Sequence, residues 1–225
     1  MGERLIRASE ANPKGLFESH EINWINEELI APAIPRRPPL LGRWFFRERP
    51  VHRQRWLARV PLTARVQATP DLDERMKKQS AARPFCFKDP RFCYTLPAWR
   101  RHLGDAAFLC IFRDPAETAE SILREKGRAR YLESLDLDFT GALEVWTSMY
   151  EHVLAHAQDG DWLFLHFEQL LGGKGVDRIE ALLGVIADKS FPEEKLHRSR
   201  ARAELPARTS QLYRELCSRA GIEPS

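Results

Sequence analysis

Apolar residues recur along the chain with two different periods, and each change of period marks an element. Ile22, Ile25, Leu29 and Ile30 lie at helical spacing and the run stops at Pro32, which predicts a short amphipathic helix over 20–31. A helix is expected from Asp71 to about Ala82 and another from Thr95 to Leu103, with Pro84-Phe85-Cys86-Phe87-Lys88 between them reading as a short apolar strand. Ala107 to Phe112 is almost continuously apolar, as a strand covered on both faces of a parallel sheet requires, and a helix follows from Pro115 to about Lys126. Phe139, Leu143, Trp146, Met149, Tyr150 and Val153 predict the longest helix, Asp138 to His156, closed by Gly160. Asp161 to Phe167 reads as a third buried strand, and helical patterns resume at Val176 to Leu183 and Pro206 to Ala220.

Strands separated by helices imply right-handed crossovers, hence an α/β fold with a parallel sheet flanked by helices. A single domain over 1–225 is expected, with a Pro/Arg/Trp-rich flap at 32–61 inside it. Two readings of the flap stay open. Arg43, Trp44, Phe45, Phe46, Arg47, Arg49, Arg53, Arg55, Trp56 and Arg59 could stack on a base or sugar. Alternatively the segment is irregular or partly helical, with its aromatics packed down and its arginines wet.

A net charge of +3 favours an anionic ligand only slightly and argues against a nucleic-acid partner. Cys86, Cys93, Cys110 and Cys217 form no Cys-x-x-Cys pair, which points to a reduced, cytoplasmic setting. Met1-Gly2-Glu3-Arg4-Leu5-Ile6 has no apolar leader core, and no stretch approaches the roughly 18 apolar residues of a membrane span, so no membrane partner is expected. His52, His102, His152, His156, His166 and His197 form no ligand set, and no metal is expected. His152 and His156, four residues apart, read as helical surface.

The chemistry-bearing residues cluster where strands are predicted to end. Lys88-Asp89-Pro90-Arg91 is followed by Arg113-Asp114-Pro115, with Ser121 six residues past Pro115, about 9 Å along a helix. Asp114 is placed as an N-cap, Pro115 at the first helical position and Glu117 as the reciprocal partner of a capping box. Arg113 and Ser121 could then meet on one phosphate at the carboxyl end of a strand. The plainer alternative pairs Arg113 with Asp105 or Glu117 and leaves Ser121 an ordinary helical serine.

The combination of Lys88-Asp89-Pro90-Arg91, Thr95-Leu96-Pro97 and Arg113-x-Pro115-x5-Ser121 resembles the sulfotransferase family that uses 3'-phosphoadenylyl sulfate. Asn12-Pro13-Lys14-Gly15-Leu16-Phe17-Glu18-Ser19 is similar to another block of bacterial members, and Leu212-Tyr213-Arg214-Glu215-Leu216-Cys217 to their closing helix. The resemblance implies a P-loop-NTPase-like sulfotransferase fold that moves a sulfuryl group from 3'-phosphoadenylyl sulfate to a small-molecule or glycan hydroxyl, without a metal. It implies that Arg113 and Ser121 bind the donor's 3'-phosphate and that Lys88 neutralises the departing phosphate. Many members take the acceptor's proton with a histidine two residues after this lysine, but here that position is Pro90. In relatives with Lys-Asp-Pro, such as tyrosylprotein sulfotransferases, an earlier glutamate serves, and its counterpart here is Glu18, with His20 in reserve. His197-Arg198-Ser199-Arg200-Ala201-Arg202 either closes over the donor's phosphates or is a solvated basic run.

The resemblance also implies a Gly-rich phosphosulfate loop ahead of the Asn12 block. Only 11 residues precede Asn12, and no Gly-x-x-x-x-Gly-Lys-Ser/Thr occurs, which also excludes an ordinary P-loop kinase or ATPase. The expectation is therefore a fold with its first strand and phosphate loop missing, N-terminally truncated, whose activity depends on that loop being supplied. The alternative is a non-catalytic relative that binds adenosine 3',5'-bisphosphate or a partner. An uncovered sheet edge would favour a homo-oligomer.

Overall fold

The computed structural model describes residues 5–6, 15–158, 160–191 and 203–224. Asn12, Pro13 and Lys14 of the N-terminal motif block, and the basic run 197–202, lie outside the described residues. The chain divides into two compact units, 1–104 with 125–137 and 105–124 with 138–225.

The first unit is built on three helices that pack together: α1 (His20–Ile30), α2 (Pro70–Ala81) and α3 (Phe92–Leu103). Ile22, Ile25, Leu29 and Ile30 of α1 are all buried, as their spacing predicts. Thr69 caps α2 by accepting from Leu72 N at 3.3 Å, and Pro70 opens the helix. A polar knot fixes α1 to α3. Asn26 Oδ1 accepts from Trp99 Nε1 and from Thr95 Oγ1, both at 2.8 Å, so burying the indole leaves its N–H bonded.

Two expectations change in this unit. Residues 84–88 form no strand: Phe85 and Phe87 stack on each other at 4.6 Å and Phe87 reaches Trp99, but no ladder partner exists among the described residues. An alternating pattern specifies the pleat and not the neighbour that would complete it. The 32–61 flap is partly helical, with 3-10 turns at Ala31–Ala33, Leu41–Arg43 and Arg55–Leu57, but Trp44 and Phe45 project into solvent instead of packing down.

The second unit holds the sheet: β1 (Phe108–Phe112) pairs in parallel with β2 (Trp162–His166), from Phe108 opposite Trp162 to Phe112 opposite His166. Around it lie α4 (Pro115–Lys126), α5 (Phe139–His156), α6 (Phe167–Leu171), α7 (Lys174–Leu183) and α8 (Ala207–Ala220). Asp138 caps α5 through Gly141 N at 2.8 Å, and α8 ends at Gly221 in the left-handed conformation that favours glycine. Phe112, Trp146, Phe164, Leu212, Tyr213, Leu216 and Cys217 form the core between the sheet, α5 and α8. The parallel α/β class is as expected, with two strands in the described sheet and not three. β1 is covered on one face only: Cys110 and Phe112 are buried, whereas Leu109 and Ile111 are exposed. Apolarity on both sides of a strand records what it tolerates, not what is packed there.

Candidate functional site

In the first unit the backbone is pinned where the N-terminal motif ends. Ile6 N donates to Glu18 O at 2.8 Å, Leu5 and Ser19 form an antiparallel bridge, and Phe17 enters through the left-handed region at φ 55°. A non-glycine residue held there costs on the order of 1 kcal/mol or more, so the surroundings must enforce it. The turn delivers a buried Glu18 side chain just ahead of α1. Its Oε1 accepts from Lys88 Nζ at 2.9 Å and its Oε2 from Asn23 Nδ2 at 3.0 Å. Lys88 Nζ also donates to Leu16 O at 2.9 Å. Two residues 70 positions apart, expected to serve as base and charge stabiliser, are thus in direct contact. His20, the first residue of α1, is exposed.

The rest of the Lys-Asp-Pro-Arg motif fastens this arrangement. Asp89 Oδ1 accepts from Arg91 N at 2.7 Å, and both its oxygens accept from Arg91 Nη1 at 3.0 Å. Arg91 reaches α1 through Nε and Nη2, which donate to Glu27 Oε1 at 3.0 and 2.8 Å. Glu27 Oε2 in turn accepts from Arg53 N at 3.1 Å and Arg55 Nη1 at 3.3 Å. Burial pushes the Asp89 carboxyl up, against the opposing pull of Arg91. Burial alone would lower Arg91, but the carboxylates of Asp89 and Glu27 outweigh it and hold the guanidinium above its ordinary value. Sequence reasoning missed Glu27 and the structural role of Arg91. The available signal was Asn26-Glu27 interrupting an otherwise apolar stripe, four residues after Ile22.

In the second unit Arg113 leaves the end of β1 and α4 begins two residues later. Asp114 is the cap its identity suggests: Oδ1 accepts from Ala116 N at 2.8 Å and Glu117 N at 3.1 Å. Glu117, at the third helical position, turns one carboxylate oxygen toward Arg113. Its Oε2 accepts from Arg113 Nη2 at 3.0 Å, a charge-assisted bond four residues back. The guanidinium also lies over the Phe167 ring, 4.8 Å from the centroid, at the start of α6 beyond β2. Arg113 Nε is buried with no hydrogen-bond partner.

Ser121 is half-buried and lies four residues after Glu117 and eight after Arg113. At about 5.4 Å per turn, the three form one stripe with Glu117 in the middle. With the Ala116 and Glu117 amides committed to Asp114, an anion at the end of this strand would be met by side-chain donors. The partly exposed Arg113 guanidinium is the cationic one.

A depression of about 470 Å³ lined by Arg214, Ser218, Ile222 and Glu223 contains none of the four candidate residues. Among the described residues no three or more His, Cys, Asp or Glu side chains gather to hold a metal. His152, read as surface from its spacing, is buried, with its ring 5.8 Å from that of His156. Burial pushes the Cys110 thiol up to about 12, so it is no nucleophile.

A family model described as "Sulfotransferase family" matches residues 29–185, which include Lys88, Arg113 and Ser121 but not Glu18. Comparisons with curated proteins and with solved structures each gave no match.

Proposed function

The chain belongs to the sulfotransferase family, and from that premise we propose that it transfers a sulfuryl group from 3'-phosphoadenylyl sulfate to the hydroxyl of a small molecule or glycan. Glu18 takes the hydroxyl proton and the acceptor oxygen attacks sulfur. The bond between sulfur and the 5'-phosphate oxygen breaks, and Lys88 stabilises the charge gathering on that oxygen as adenosine 3',5'-bisphosphate leaves. Arg113 and Ser121 bind the 3'-phosphate.

The observation that carries this reading is the 2.9 Å contact between Lys88 Nζ and Glu18 Oε1. Protonating Glu18 removes the carboxylate charge that Lys88 balances at the moment when the departing phosphate acquires one, so the ammonium changes partner without being left unpaired. The Arg113 guanidinium is partly exposed beside Glu117, which leaves it within reach of a phosphate. Release of adenosine 3',5'-bisphosphate from the sulfuryl donor, followed across a panel of hydroxyl acceptors, tests the proposal. Glu18→Gln and Lys88→Ala should each lower turnover by about 10²- to 10⁴-fold. Undiminished turnover in Glu18→Gln would remove the base from the mechanism.

A second reading, a non-catalytic binder of adenosine 3',5'-bisphosphate, draws on the two acceptors that already occupy the Lys88 ammonium. Calorimetric binding of the bisphosphate with no turnover on any acceptor would favour it.

A further inference from the structure

Residues 36–53 contain six arginines and one glutamate. Within this segment Leu40 is 87% exposed, Trp44 78%, Phe45 61% and Leu41 56%. Single apolar side chains on a surface are ordinary, but four large ones within six residues form a patch that water does not favour.

Hydrogen bonds within the segment and to residues 131–133 hold this shape. Arg37 Nη2 donates to Arg47 O at 2.8 Å, Arg49 Nη1 to Arg36 O at 3.0 Å and Arg47 Nη2 to Glu133 O at 3.1 Å. Gln54 Nε2 ties the far end to Tyr131 O at 2.6 Å. The acceptors of these bonds are neutral carbonyls, which leave the positive charge of Arg37 and Arg47 uncompensated. Glu48, 3.5 Å from Arg49, is the one acid inside the segment, and Glu133 and Asp136 are exposed beside it. Burial first, and then the neighbouring Arg47, push Arg37 below its ordinary value, as expected where positive charge is crowded.

We propose that residues 36–53 form a membrane-contact loop that seats Leu40, Leu41, Trp44 and Phe45 in the interfacial layer of an anionic bilayer, with Arg36, Arg47 and Arg53 at the lipid phosphates. Apolar insertion and a basic rim are the two signals that together hold a protein on an anionic membrane, and indole and phenyl rings favour the headgroup level. No helix among the described residues is long and apolar enough to cross a membrane, so the contact is peripheral. A nucleic-acid strand fits less well, because Leu40 and Leu41 offer no ring face for a base to stack on. A second copy of the chain fits less well because it would bring together two segments that each carry six arginines and one glutamate. The inference stands apart from sulfuryl transfer: binding is the readout, and it holds or fails whatever the activity.

The test is sedimentation of the full chain with vesicles of phosphatidylcholine alone and with about 30% phosphatidylglycerol added. The chain should partition onto the anionic vesicles and not the neutral ones. Trp44→Ser with Phe45→Ser should weaken vesicle binding about tenfold or more, and Arg36→Glu with Arg53→Glu should remove the preference for anionic lipid. All four positions are exposed, and unchanged unfolding midpoints verify that the variants fold. Equal binding to both vesicle types, or wild-type binding by the Trp44/Phe45 variant, overturns the proposal. So does a vesicle-free change of oligomeric state in that variant, which assigns the patch to a second copy. Failure to bind vesicles while an RNA oligomer is bound through the same residues assigns it to nucleic acid.

Discussion

The two candidate sites handle charge in opposite ways. Around Lys88 every formal charge meets its opposite: Lys88 faces Glu18, Arg91 bridges Asp89 and Glu27, and Arg55 adds to Glu27. Around Arg113 one guanidinium meets one carboxylate four residues away and keeps a buried N–H with no acceptor. The first arrangement is closed, drawing on segments distant in sequence, and its geometry is enforced before any ligand arrives. The second is local to one strand end and one helix turn and leaves a donor to spare. A closed network is suited to holding catalytic groups in place, and a single, partly exposed pair to exchanging its carboxylate for an anion.

Breaking the closed network gives the largest expected effect. Arg91→Ala leaves Glu27 and Asp89 buried without their shared guanidinium, and removing one partner of a buried ionic cluster costs about 3–5 kcal/mol. Denaturant unfolding read on the first unit should show a loss of this size, and Lys88 should lose its fixed position with it. A loss below about 1 kcal/mol would mean that the Asp89–Arg91–Glu27 cluster does not organise the site.

How much of this was legible in the sequence follows from the range of each interaction. Asp114 as a cap, Pro115 at the helix start and the Phe139–His156 helix are decided within a few residues, and the pattern specifies them. The Lys88–Glu18 contact spans 70 positions and was foreseen only through family resemblance. Glu27, 64 positions from Arg91, belongs to no motif and was missed. The open face of β1 was misjudged because Leu109 and Ile111 have the composition of core residues, and composition does not report what covers them.

Two smaller perturbations sharpen the contrast from the other side. Arg113→Ala should weaken binding of adenosine 3',5'-bisphosphate by about tenfold to a hundredfold, the 1.5–3 kcal/mol scale of hydrogen bonds to a charged group. Adenosine 5'-monophosphate, which lacks the 3'-phosphate, should bind both proteins alike, so calorimetry with the two nucleotides separates loss of the clamp from general damage. Glu117→Gln acts in the opposite direction. It removes the carboxylate that competes for Arg113 and should tighten bisphosphate binding by about two- to fivefold, the scale of a partly exposed ion pair. Weaker binding in this variant would instead make Glu117 the residue that orients the guanidinium.

The smallest effect is a pH dependence confined to the second unit. His166 ends β2, accepts from Glu168 N through Nδ1 at 3.4 Å and lies 3.2 Å from Tyr213 Oη through Nε2. Accepting at Nδ1 requires the neutral ring with its proton on Nε2, so protonation removes the cap of α6. Burial is the main cause that lowers this histidine below its ordinary 6.5, helped by Arg113 and opposed by Glu168, Asp114 and Glu117. A lowered folded value means that the unfolded chain binds the proton first. The stability tied to His166 is therefore present above about pH 6.5 and is lost as the pH falls through the folded value. The slope cannot exceed one proton, about 1.4 kcal/mol per pH unit. His166→Gln should flatten it in unfolding curves taken between neutral and mildly acidic pH. Arg113→Ala should shrink it by removing one lowering influence, whereas an identical acid loss in wild type and His166→Gln would assign the slope to other groups.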